Sequence, residues 1–135
     1  MIKQRYIEKD GLIITNFGGM HTYADAVEAL NELLEINKGK NQIYEIVLND
    51  DDIKISFSVE EEKMIAEKVR TTFEKFELGA LAVVATQDFV FGISRILATT
   101  IENERIAVSV FGSEELARKW IQEMREMHNN SLHAD

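Results

Sequence analysis

Five sets of side chains in this sequence have types or spacing that could do chemistry. His21, Tyr23 and Asp25 follow Gly18-Gly19, and a histidine four residues from an aspartate could supply a general base and the carboxylate that orients it. No nucleophile or metal partner accompanies them, so turn and capping roles are expected. Asp50-Asp51-Asp52 carries the oxygen ligands that a hard cation such as Ca²⁺ or Mg²⁺ takes. Consecutive residues do not converge on one ion, and no EF-hand pattern with its closing glutamate follows, so the triplet reads as a solvated loop. Ser58 lies three residues ahead of Glu61, the spacing of a helix capping box. Arg95 has an otherwise apolar neighbourhood and is the candidate anion or ligand contact. His128 and His133, five apart, do not form a metal pair. With these groups in hand, the sequence predicts no catalytic residue, no metal and no cofactor.

Composition narrows the classes further. The chain has 135 residues, enough for one domain. Its 24 acidic residues against 15 basic ones give a net charge of −9, which argues against nucleic acid and anionic membrane surfaces, because both need clustered Lys and Arg. Hydrophobic residues make up 45%, too many for intrinsic disorder. There is no cysteine and no proline, so disulfides, thiolate metal sites and Pro-rich linkers are ruled out. Residues 1–10 carry no apolar core of a signal peptide. The longest nearly uncharged stretch, residues 78–87, is about half of a membrane span. A cytoplasmic protein is expected, with a domain over residues 1–127 and a flexible tail over 128–135. Between Glu45 and Glu62 there are seven acids and one base, Lys54. Asp50, Asp51, Asp52, Glu60 and Glu61 thus form the candidate partner-facing acidic patch, and a docking partner is expected to be basic.

These groups must be positioned by regular elements. Asp10-Gly11 between apolar-bearing runs at 4–8 and 12–17 predicts a hairpin. Thr22 and Asp25 have capping-box spacing, and Ala26, Val27, Leu30, Leu33 and Leu34 mark the buried face of a first helix, with Gly39 expected to stop it. Residues 43–48 read as a buried strand, and Ile53 and Ile55 as a short extended piece. A second helix opens at Ser58 and is expected to run to about Phe76, with Ile65, Val69, Phe73 and Phe76 inward. Residues 80–85 are apolar at every position, the pattern of a parallel strand covered on both faces. A third helix starts at Asp88 and is expected to bury Phe89, Ile93, Ile96, Leu97 and Ile101. Residues 106–111 form the last strand, and Leu116, Ala117, Trp120, Ile121 and Met124 line a fourth helix. Met64, Met124, Met127, Trp120 and Phe76 read as core or edge packing, with the Trp120 and Met124–Met127 edge the candidate apolar patch for a homodimer or a ligand groove. The fold class is α/β: a single domain with a mixed sheet of about five strands, an N-terminal hairpin followed by βα repeats, and four helices.

This order, with three local phrases, resembles the SpoIIAA-like family of small bacterial proteins with a STAS or Sec14-like fold. The phrases are Gly11-Leu12-Ile13-Ile14-Thr15; the apolar residues 81–85 followed by Phe91-Gly92-Ile93-Ser94-Arg95; and residues 108–120, with Gly112-Ser113-Glu114-Glu115 and the Ala117/Trp120 pair. The resemblance implies a non-catalytic regulatory or protein-interaction module, or alternatively a carrier of a small apolar or lipid-like ligand held beneath a helix. STAS antagonists of anti-sigma factors are switched by phosphorylation of a serine ahead of a helix. The matching residue here is Ser58, with Ser56 as the other register. The chain reads Ser56-Phe57-Ser58-Val59-Glu60 where the family switch reads Asp-Ser-Ser or Asp-Ser-Thr followed by Gly. Glu60, Glu61 and Glu62 would oppose a phosphate there about as strongly as the helix dipole favours it, so capping is the expected role of Ser58.

Overall fold

Apolar runs with no polar face need cover on both sides, and this chain supplies it with helices in front of and behind one sheet. A computed structural model describes residues 1–133, apart from the side chains of Asp10 and of 131–133. Its elements are β1 (Ile2–Ile7), a 3₁₀ turn (Lys9–Gly11), β2 (Leu12–Phe17), β3 (Met20–Thr22), α1 (Tyr23–Ile36), β4 (Gln42–Asn49), β5 (Lys54–Ser56), α2 (Val59–Phe73), β6 (Leu78–Val84), α3 (Asp88–Ile101), β7 (Ile106–Phe111) and α4 (Glu114–His133). The main sheet has the order β1-β2-β4-β6-β7. Only the β1–β2 hairpin is antiparallel; the other pairs are parallel. Gly11 closes the hairpin turn at φ +81°, a left-handed conformation that costs glycine little.

Period-two alternation sends each strand's side chains to two different cores. Ile13, Ile43, Leu81, Ile106 and Val108 face α1, α2 and α3, packing with Leu30, Leu33, Phe73 and Ile101. Leu12, Ile14, Tyr44, Ile46, Ala80, Ala82 and Val84 face α4, against Ala117 and Ile121. Each fully buried Ile contributes about 1.5–3 kcal/mol. The expectation for residues 80–85 holds: β6 has β4 and β7 as neighbours and helices on both faces. Space along β6 is tight. A Cβ at Gly79 would lie 2.5 Å from the Ile43 carbonyl oxygen and 2.7 Å from Ile43 Cγ2. Gly79→Ala should therefore cost about 2 kcal/mol in urea unfolding; an unchanged midpoint would show that the strands can part there.

Both capping boxes form as read, Thr22 with Asp25 and Ser58 with Glu61. Four expectations need correction. The second helix ends at Phe73, and its last turn tightens so that Phe76 N–H bonds the Phe73 carbonyl at 3.1 Å, which still buries Phe76. The first helix ends at Ile36, three residues before Gly39. On α3 the buried residues are Val90, Ser94, Ala98 and Ile101, while Phe89 is 69% and Ile96 63% exposed. This helix is apolar nearly all round, so periodicity could not set its phase. Finally, α4 runs through the expected flexible tail to His133. His128 is buried there, its Nδ1 2.7 Å from the Tyr44 hydroxyl, and Arg125 lies over the Tyr44 ring at 5.5 Å. A polar contact across the fold holds a stretch that has no apolar period. Of the tail, 134–135 lie outside the described residues.

β3 and β5 form a separate two-stranded parallel ladder, three residues long, from Met20↔Lys54 to Thr22↔Ser56. It fixes the loops beyond β2 and β4 beside the starts of α1 and α2.

Candidate ligand cavity

Small side chains where large ones could fit leave space. Ala26 and Ala29 of α1 and Ser94 and Ala98 of α3 face the sheet across from Glu45 and Val47 of β4 and Leu81 and Val83 of β6. Between these layers lies a cavity of about 130 Å³. Ile65 and Val69 of α2 close a third side, and Phe17, His21, Ile55 and Phe57 close the end next to the β3–β5 ladder. Its lining is overwhelmingly apolar, which makes its few polar groups conspicuous.

Glu45 is the first. It stands between Ile43 and Val47 on the inward face of β4 and is buried. One carboxyl oxygen accepts a hydrogen bond from the Thr15 hydroxyl at 2.8 Å. Arg5, opposite Thr15 in the hairpin register, donates to the Ala29 carbonyl at 2.7 Å and to Glu32 at 2.8 Å. Burial raises the Glu45 pKa; the Thr15 hydrogen bond and the Arg5 charge oppose that rise without cancelling it. In the sequence Glu45 is one acid among the seven of the 45–62 stretch. The signal that could have found it was a lone charge inside a β-branched run, where an acid is buried only for a reason.

His21 is the second. Its ring packs on Phe17 at 4.1 Å and edge-on to Phe57 at 5.5 Å, and 8% of the residue is exposed. Nδ1 is buried with no hydrogen-bond partner. Burial, helped by the positive amino terminus, lowers its pKa to about 4 against the pull of Asp25, so the imidazole is neutral at pH 7. His21 and Asp25 do not pair as base and orienter. The Asp25 carboxylate instead accepts from the Thr22 N–H at 3.2 Å and meets the Met1 ammonium at 2.6 Å, while Tyr23 simply opens α1.

The remaining candidates are dispersed. Asp50 pairs with Lys3 at 2.5 Å, Asp51 accepts from the Thr86 hydroxyl at 2.6 Å, and Glu61 caps the Ser58 N–H at 2.9 Å. Asp52 and Glu60 are exposed. Three of the five acids of the candidate patch are thus already engaged within the fold. Ser58 is exposed, its Oγ accepting from Glu61 N–H at 3.1 Å; Ser56 ends β5. Arg95 is exposed on α3 beside Phe91, Glu102 and Ser109, away from the cavity. Trp120 and Met124 do not make an open edge: they pack against the α4 core, Trp120 at 5.5 Å from Phe111, and Met127 alone of the group stays well exposed.

No family profile and no curated protein matches this chain. Among solved structures it is similar to an uncharacterized protein of the DUF3478 family, with a SpoIIAA-like fold, from Shewanella loihica PV-4. The TM-score is 0.60 at 13% identity, over 90% of this chain and 92% of that one. The SpoIIAA-like fold expected from the sequence is borne out. No helix among the described residues is long and apolar enough to cross a membrane.

Proposed function

We propose that this domain is a non-catalytic, cytoplasmic binding module whose cavity holds a small apolar molecule. One observation carries the reading: the cavity of about 130 Å³ between the sheet and α1–α3, walled by α3 along most of its length. An apolar cavity of about 150 Å³ holds a benzene-sized molecule, so the occupant is a single ring or a short chain, smaller than the lipid that the Sec14-like resemblance brings to mind. Burial of such a ligand needs no titrating pair and no nucleophile, in keeping with the scattered chemistry described above.

Native mass spectrometry of gently purified protein tests this. The expected result is an adduct of small mass that organic extraction removes, or, for protein purified empty, saturable uptake of toluene. Ala98→Leu should abolish uptake by filling the space while raising the unfolding free energy by about 0.5–2 kcal/mol. Failure of the wild type to take up either an endogenous molecule or toluene would sink the proposal. A regulatory role is the second reading, supported by Phe89 and Ile96, which stand exposed on the same helix that walls the cavity. On that reading a protein partner or a second copy docks on α3. Phe89→Ser should then weaken self-association in analytical ultracentrifugation, and a strictly monomeric wild type would remove the second copy from consideration.

A further inference from the structure

The Glu45 carboxyl sets what the cavity can hold, and this inference rests on the cavity being a ligand site. Thr15 is the donor to one of its oxygens. No described residue donates to the other, on a side chain that lines the cavity. The Arg5 guanidinium lies outside the lining, held by Glu32 and the Ala29 carbonyl. With Thr15 on one oxygen, the carboxyl keeps hydrogen-bonding capacity for a molecule in the cavity that it lines. We infer that the cavity takes a small uncharged molecule made of an apolar ring and one hydroxyl group, a phenol-class ligand, whose hydroxyl bonds the free oxygen of Glu45.

Three physical points favour a hydroxyl. It both donates and accepts, so it satisfies a carboxyl whether that group is ionised or neutral. A ligand carboxylate would meet an acid with no cation in the lining, and like charges in a dry cavity repel strongly. A ligand ammonium would require a buried ion pair whose desolvation offsets its attraction, since Thr15 is the one side chain that donates to the carboxylate and Arg5 acts on it only through its charge. The ring fits the volume, and Phe17, His21 and Phe57 give it aromatic neighbours.

Isothermal titration with phenol, toluene, anisole, benzoate and benzylamine separates the cases, with the Glu45 side-chain carboxyl carbon followed by NMR. Phenol should bind about tenfold tighter than toluene or anisole, the size of one net hydrogen bond, and should shift the Glu45 carbon where toluene does not. Benzoate should not bind. Glu45→Leu should erase the preference for phenol over toluene, and Glu45→Gln should restore most of it. If Glu45→Leu does not fold, the wild-type preference and the carbon shift decide alone. Equal affinity for phenol and toluene overturns the inference while leaving the cavity a binding site, as does tighter binding of benzoate or benzylamine. Absence of binding by every probe, toluene included, overturns the underlying reading itself.

Discussion

His21→Phe should make the protein about 3 kcal/mol more stable at pH 4, relative to wild type, than it is at pH 7. The folded imidazole holds a proton only below about pH 4, while in the unfolded chain it takes one up near pH 6.5. Between those values the unfolded state binds more protons, so wild-type stability falls as pH drops through the window and is fully present above it. Phenylalanine removes the titration and suits a site between Phe17 and Phe57. Urea unfolding of both proteins at pH 7 and pH 4 gives the two differences. His128, also lowered by burial, acts in the same direction in both proteins and cancels. A difference that does not change with pH would mean that His21 is solvated.

Glu45→Gln should show the opposite slope. The folded carboxyl has its pKa raised by burial, so stability from its neutral form is fully present below the unfolded value of about 4.5 and is lost as pH rises toward the folded value. Wild type should lose about 1.4 kcal/mol per pH unit across that window relative to Glu45→Gln, with the two proteins nearly equal at pH 4. Chemical denaturation at pH 4, 6 and 8 measures it. A gap that stays constant, or that widens toward acid, would show that Thr15 and Arg5 outweigh burial. The two residues line one cavity and titrate in opposite senses, so their contributions partly cancel in the wild type as pH moves away from neutrality toward acid, and only the paired variants expose them.

What could be read from the residues was what neighbours in sequence decide. Asp10-Gly11 marked the hairpin, Thr22 with Asp25 and Ser58 with Glu61 marked helix starts, and the unbroken apolar run at 80–85 marked a strand covered on both faces. What escaped depends on partners far along the chain. The phase of α3 was ambiguous because Phe89, Phe91, Ile93, Ile96 and Leu97 surround it, and only the sheet selects Ser94 and Ala98 to face inward. The end of α4 is fixed by His128 meeting Tyr44, 84 positions earlier. Glu45 acquires its role from Thr15, 30 positions away. The cavity is a volume left by small side chains on separate helices, and no spacing in one segment encodes it.

The helix that covers the second face of the sheet is made after every strand it covers. While a ribosome adds residues at about 5–20 per second, β1 through β7 emerge with Ile14, Ile46, Ala80 and Ala82 destined for a helix not yet synthesised. For those seconds the nascent domain has one finished layer and one greasy, unprotected surface. Any product broken off before Ala117 and Ile121 would keep that surface permanently, and should be a ready substrate for chaperones and a seed for aggregation.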